Sequence, residues 1–277
     1  KHLESTGKTH IISSKAEHKS VLNVLRHLED EYGFEVTYLT PKDCGMVDAN
    51  MVEAALKDTT GLVTIQAVNN EVGIRNNIID ICARIRKYGV LMHVDGAQAL
   101  GKIPVNVAEL NIDFMSFSSH KVYGPQGIGA LFCKDNLLSP ILFGGGQENG
   151  LRPGTLPTAL CIGFGEACAL VDLDDNVRLK TMRDTIITRI KDAGFDIQVL
   201  GNADPHWQTP GILNMRFKGI DNETLIGCLP FLSIGSGSAC NSNGTQTSHV
   251  IEAIASKDIA LETIRISFGR FTTHDDI

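Results

Sequence analysis

No apolar run in these 277 residues reaches the roughly 20 that a membrane-spanning helix needs, so no membrane partner is expected. No Cys-x-x-Cys pair occurs among the seven cysteines, Cys44, Cys82, Cys133, Cys161, Cys168, Cys228 and Cys240. Their scatter and odd number argue against a zinc site and against a disulfide framework. They suit a reducing cytosol. The opening residues, Lys1-His2-Leu3-Glu4-Ser5, carry no secretory pattern, and a cytoplasmic location is expected. No basic cluster stands out: 25 Lys and Arg face 32 Asp and Glu, a net charge of −7. Direct nucleic-acid contact is therefore not expected, and the acidity mainly aids solubility. No Gly-x-Gly-x-x-Gly follows a strand-like run, which argues against a dinucleotide-binding domain. Internal repeats and low-complexity tracts are absent.

What is present is an ordinary globular composition, 43% hydrophobic and 21% charged, enough for one full core or two unequal domains. Strand and helix signals alternate. Thr9 to Ser14, Glu35 to Leu39 and Leu62 to Val68 read as strands. His18 to Glu31 reads as an amphipathic helix, with Val21, Leu22, Leu25 and Leu28 on one face. Asp48 is a plausible cap for a helix through Leu56, and Ile78 to Tyr88 is a further helix. The runs Gly89 to Met92 and Ile112 to Met115 read as buried strands of a parallel sheet, and Gly129 to Cys133 follows as another strand. Strands separated by helices imply an α/β architecture with right-handed crossovers. After Thr155 the pattern changes. Two helices, Thr158 to Leu173 and Asn176 to Ala193, precede short strands at Asp196 to Leu200, Gly211 to Phe217 and Thr263 to Ser267, with a helix at Glu223 to Leu229. The expected division is a large domain over residues 1–172 and a smaller α+β domain over 173–277.

Two segments carry the chemistry. His93-Val94-Asp95-Gly96-Ala97-Gln98 and Ser116-Phe117-Ser118-Ser119-His120-Lys121 each follow a strand-like run. An aspartate and a lysine thus arrive at strand C-terminal ends, where open α/β sheets bind ligands. That pair suits pyridoxal phosphate: the lysine amine takes the aldehyde, and the carboxylate keeps the pyridine nitrogen protonated. Taken singly, Asp95 could be a helix cap and Lys121 a surface residue. Cys82, Cys161 and Cys168 fall among apolar helix positions and are expected in the core. Cys240 lies among Gly, Ser and Asn and is expected on a loop.

This order and spacing resemble the class V aminotransferase superfamily of fold-type I pyridoxal-phosphate enzymes. Ser236-Gly237-Ser238-Ala239-Cys240-Asn241-Ser242 resembles the active-cysteine loop of cysteine desulfurases of the long-loop subgroup. Glu17-His18-Lys19, Asn69-Asn70-Glu71-Val72-Gly73, Gly144-Gly145-Gly146-Gln147-Glu148, Arg152 to Pro157 and Ile264 to Phe271 fall in the same family order. The resemblance implies a mainly parallel sheet flanked by helices, with a smaller C-terminal α+β domain that carries the cysteine loop. It implies pyridoxal 5'-phosphate as cofactor, held by Lys121, Asp95, Gln98, Asn70, Ser118, His120 and, from a partner subunit, Thr155. It implies that His18 stacks on the cofactor ring, and that Arg265 and Asn70 bind the substrate carboxylate. A guanidinium is suited to bidentate carboxylate binding. Cys240 is the implied nucleophile, taking sulfur from L-cysteine as a persulfide and leaving L-alanine.

The implied assembly is a homodimer that passes sulfur to an acceptor protein. Relatives of this subgroup serve iron–sulfur scaffolds, tRNA thiolation factors and DNA phosphorothioation proteins, and the resemblance leaves all three open. A selenocysteine lyase or another class V enzyme is the alternative chemistry, and a cofactor-less sulfur-relay protein the non-enzymatic one. In this family a Gly/Thr-rich turn at a helix N-terminus anchors the cofactor phosphate. It lies upstream of the strand matching Thr9 to Ser14. The expectation is that a longer native polypeptide supplies it, and that residues 1–277 alone hold the cofactor weakly. Ser119 stands where many relatives have glycine, and a small residue is expected to be tolerated there.

Overall fold

The computed structural model describes residues 2–135, 137–201, 204–237 and 247–277. A short helix, α1 (His2–Ser5), leads into β1 (His10–Ser14). There follow α2 (Lys19–Tyr32), β2 (Glu35–Leu39), α3 (Ala49–Ala54), β3 (Thr60–Gln66) and α4 (Ile78–Ile85). Then come β4 (Leu91–Asp95), α5 (Val107–Leu110), β5 (Phe114–Ser118) and β6 (Gly129–Cys133). These six strands form one sheet in the order β2-β1-β3-β4-β5-β6. Neighbours pair in parallel from β2 to β5, and β6 pairs antiparallel with β5.

The strand order reverses between β1 and β3, because the chain leaves β1 for β2 on one side and returns to β3 on the other. Such a reversal opens a crevice at the C-terminal strand ends. The two faces of the sheet differ by side-chain alternation. Ile12, Val63, Ile65, Met92, Val94 and Met115 point to one face and pack with α3 and α4 through Val52, Ile78, Ile81 and Ile85. The other face is apolar only near the strand starts, where Ile11 and Leu62 meet Leu25 of α2. Buried Asp113 ties β4 to the start of β5: its Oδ2 accepts the Met92 N–H at 2.7 Å, and its Oδ1 accepts from Arg86 at 3.0 Å.

Beyond β6 lie α6 (Thr158–Ala169) and α7 (Asp175–Asp192), then β7 (Ile197–Leu200), β8 (Ile212–Phe217) and α8 (Asn222–Cys228). The short helices α9 (His249–Ile254) and α10 (Lys257–Leu261) precede β9 (Thr263–Ser267). Strands β7, β8 and β9 make an antiparallel three-stranded sheet. Its core joins Met182 of α7 to Leu213, Met215 and Ile264.

The architecture is the expected one, mainly parallel α/β with a small second sheet. Several details differ from the sequence reading. Leu62 to Val68 begins earlier, at Thr60, and ends at Gln66. Strands β4 and β5 run on through Asp95 and Ser118, so both polar residues are strand-terminal rather than in the following turn. Helices α9 and α10, six and five residues long, are too short to show a helical period in sequence and are not expected from it. Cys82 is buried as expected, but Cys161 is exposed and Cys168 half-buried, because α6 buries Phe164 and Ala167 instead. No helix among the described residues is long and apolar enough to cross a membrane.

Candidate active site

Along β3, β4 and β5 the second face turns polar toward the C-terminal ends. Thr64 and Gln66, His93 and Asp95, Ser116 and Ser118 alternate with the apolar core residues and line one cavity of about 640 Å³. His18, Asn70, Gln98, His120, Lys121 and Arg265 line the same cavity. All of these expected site residues therefore meet in one place, although Arg265 comes from the small sheet. Thr155 does not: it is exposed and is not among the residues lining the cavity. Cys240 lies outside the described residues.

Local structure explains each placement. Gly96 permits β4 to end against β5: its N–H donates to the Ser116 carbonyl at 2.9 Å, and a Cβ there would sit 2.5 Å from Met115 Cε. Asp95 is 9% exposed, and its Oδ1 accepts the Ala97 N–H at 2.9 Å. The aspartate thus caps its own turn, as an isolated Asp would, and still lines the cavity. Lys121 stands on a single 3₁₀ turn, Ser119–Val122, closed by Tyr123 at φ 68°. Beside it, Ser118 Oγ lies 2.9 Å from His120 Nδ1. Burial first, and then the Lys121 ammonium, hold the His120 pKa below its ordinary value. Ser119 is fully buried, and its Oγ has no hydrogen-bond partner among the described residues, but Gly124 leaves room for it. The extra hydroxyl is accommodated sterically and left unsatisfied.

His18 caps α2. Its Nδ1 accepts the Ser20 N–H at 3.2 Å, so the neutral ring carries its proton on Nε2. Burial lowers its pKa and favours that neutral form, against the opposing pull of Asp95. Asn70 follows β3. Its carbonyl accepts from Arg265 Nη1 at 3.2 Å, and its Oδ1 is buried with no hydrogen-bond partner among the described residues.

The sequence reading missed His93, which lines the cavity, and two groups packed beside it, Glu17 and Lys102. Burial lowers the His93 pKa against the opposing Asp95 charge, and the ring bridges Thr64 Oγ1 at 2.7 Å and Ser116 Oγ at 3.3 Å. Glu17 is fully buried, with Oε1 accepting the Gln66 N–H at 2.8 Å and Oε2 without a partner among the described residues. Burial raises its pKa well above 4.5, and the nearby Asp95 charge adds to the rise. Lys102 reaches the Lys121 carbonyl at 3.4 Å, and desolvation, helped by the Lys121 charge, lowers its pKa to about 8. The missed signal was polar alternation at a period of two inside strands that otherwise read as buried.

The donor set fits pyridoxal phosphate. A cavity-facing carboxylate matches a pyridinium nitrogen, a lysine amine an aldehyde, and the Ser118–His120 pair an anionic group. The orphaned Asn70 Oδ1 is a further polar atom waiting for a partner at the cavity wall.

Comparison with known proteins agrees. The family model described as aminotransferase class-V matches residues 2–277. The chain is 44% identical over 283 residues to the cysteine desulfurase IscS of Pseudomonas entomophila (strain L48), covering all of this chain and 69% of that protein. Among solved structures it resembles a NifS-like protein (TM-score 0.88, 29% identity, 99% of this chain and 74% of that one). It also resembles SspA in complex with cysteine (TM-score 0.81, 35% identity, 98% of this chain and 79% of that one). The chain belongs to the class V aminotransferase family and, within it, to the cysteine desulfurases.

Proposed function

We propose that this protein removes sulfur from L-cysteine with pyridoxal 5'-phosphate, releasing L-alanine and leaving the sulfur on Cys240. The observation that carries the reading is the single cavity in which Asp95 and Lys121, from two adjacent strand ends, face Arg265 from the other sheet. A guanidinium placed there binds a carboxylate, and a lysine placed there moves a proton at the neighbouring carbon. One of the relatives, SspA, is described with cysteine bound.

When bound, the cofactor supplies an electron sink for the bonds at the substrate Cα. Asp95 holds the pyridine nitrogen protonated, which keeps that sink deep. Gln98, Ser118 and His120 would orient the group, and Lys121 would bond its aldehyde carbon and move the proton at the substrate Cα. His18, neutral with Nε2–H, offers a ring face and a proton donor. Arg265 and Asn70 fix the substrate carboxylate. The Cys240 thiolate forms an S–S bond to the substrate sulfur as the Cβ–S bond breaks. The electron pair stays with carbon, where a proton completes alanine.

A homodimer is the proposed assembly, with Thr155 reaching the cofactor phosphate of the partner subunit. Large apolar residues stand exposed between β6 and the middle of α6, among them Ile141, Phe143 (79% exposed) and Ile162. Such surface is expected to be covered in an assembly. The sulfur then passes to an acceptor protein, in the cytoplasm.

Cys240→Ser tests the reading directly. The variant is expected to retain the cofactor and its L-cysteine-dependent absorbance change, but to release no sulfide and carry no persulfide by mass spectrometry. Normal turnover in this variant would exclude Cys240 as the sulfur acceptor.

A further inference from the structure

Glu71 follows Asn70 at the corner after β3, and it is 1% exposed. Its backbone N–H and that of Val72 both donate to Asn69 Oδ1, at 2.8 and 2.9 Å, so the corner is braced internally. Its side chain looks outward, to the small domain. Oε2 accepts the hydroxyl of Ser248. The same oxygen would lie 3.3 Å from a Cβ built on Gly237. Gly237 and Ser248 stand on either side of residues 238–247, which include Cys240. One flank of that segment is therefore hydrogen-bonded to this carboxylate, and the other packs close beside it.

Neighbouring contacts make the corner a junction. Ser248 caps α9, its Oγ accepting the Ile251 N–H at 3.1 Å, so the bond to Glu71 sets where the helix starts. His249 Nε2 lies 2.9 Å from the Glu17 carbonyl, next to His18. On the other side, Gly235 and Arg265 exchange backbone hydrogen bonds at 2.6 and 3.2 Å. The Arg265 side chain returns to the Asn70 carbonyl at 3.2 Å. Residues 17–18, 69–71, 235–237, 248–249 and Arg265 thus share one hydrogen-bonded corner at the cavity edge. A carboxylate is suited to its centre, because a charged acceptor strengthens the serine hydrogen bond.

We propose that Glu71 is a positioning residue for sulfur transfer, bonding Ser248 at one flank of the Cys240 segment and packing against Gly237 at the other, at the corner where His18, Asn70 and Arg265 meet the cavity. This rests on Cys240 being the sulfur acceptor. Group transfer between two sulfurs is sensitive to placement, and an error of about 1 Å costs on the order of 10²-fold in rate. Binding of L-cysteine within the cavity depends on other residues and is expected to survive.

The test uses the whole cofactor-loaded protein with Glu71→Ala, Glu71→Gln and Ser248→Ala. Three quantities are read: half-saturation of the L-cysteine-induced absorbance change, single-turnover alanine formation, and, in cofactor-free protein, the alkylation rate of Cys240 by iodoacetamide. Glu71→Ala is expected to slow alanine formation about tenfold or more while half-saturation stays within about twofold. Its Cys240 alkylation rate should differ from the parent's by more than about twofold. Glu71→Gln should recover most of the rate, since its amide oxygen still accepts from Ser248. Ser248→Ala should repeat the alanine pattern more mildly, and it serves alone if Glu71→Ala does not fold. An unchanged alanine rate, an unchanged alkylation rate, or a half-saturation shift beyond those limits overturns the proposal. Failure of the underlying reading shows separately, as normal turnover by Cys240→Ser.

Discussion

The six-stranded sheet brings side chains to the cavity from three neighbouring strands, Thr64, Gln66, His93, Asp95, Ser116 and Ser118, whereas the three-stranded sheet sends only Arg265. The first set is held by the ladder itself. Parallel pairing fixes Gln66 opposite Asp95 and Asp95 opposite Ser116, and a one-residue slip would turn every polar group into the core. The second contribution is held across a seam. Tyr123, two residues after Lys121, accepts the Arg270 N–H at 2.9 Å, and its ring lies under the Arg270 guanidinium at 4.7 Å. Gly269 packs so closely on Tyr123 that a Cβ would fall 1.9 Å from the phenol oxygen. Arg178 of α7 closes the seam from behind, donating to the carbonyls of Gly269, Arg270 and Thr272 while pairing with Asp175. The proposed cofactor half of the site is thus built into a core, and the proposed substrate half is docked onto it by a few separable contacts.

The comparison breaks most completely at Lys121. Lys121→Ala should lower turnover by about 10²-fold or more, the scale of a lost positioned proton carrier. Borohydride should no longer fix the cofactor to the chain. A covalent adduct on another lysine would move the site. Across the seam, Arg265→Lys keeps charge but loses the fork. At roughly 1.5–3 kcal/mol for a charged hydrogen bond, KM for L-cysteine should rise about 10- to 100-fold with a smaller change in kcat. An unchanged KM would remove Arg265 from carboxylate binding.

The seam itself yields to Tyr123→Phe, which keeps the ring and deletes one hydrogen bond. The expected loss is about 1 kcal/mol, seen as a lower urea midpoint at unchanged slope. No change would mean that the Gly269–Thr272 segment is held by Arg178 alone. The smallest effect concerns Glu17, on the cofactor side. Its folded pKa is raised above 4.5 by burial, so its contribution to stability is complete below that value and is lost as pH rises toward the folded pKa. Glu17→Gln, which cannot ionise, should raise Tm at pH 8 relative to pH 4 when compared with the parent protein. Parallel melting curves for the two proteins across that range would show that Glu17 does not titrate in the fold.

Much of this was legible from local pattern. Asp48 caps α3 through Met51, and Thr263–Ser267 is a strand with the bounds its sequence suggests, because capping and alternation are short-range effects. Asp95 and Lys121 stood out because polar residues terminate apolar runs. Thr64, His93 and Ser116 did not stand out, since each looks like an isolated polar residue until neighbouring strands are placed in register. Cys161 misled for the converse reason: an apolar helix position need not face the core when α6 buries only Phe164 and Ala167.

The sequence by itself determined the succession of strands, the aspartate and lysine at or just past their ends, and the family to which they belong, because spacing along the chain encodes each of them. Only the tertiary structure decided that Arg265 shares their cavity, that Glu17 and Glu71 are buried at its edge, and that Tyr123 carries the seam. Those facts depend on partners up to 232 residues apart, as Glu17 and His249 are. The packing of two sheets, and not any local preference, brings such partners within hydrogen-bond reach.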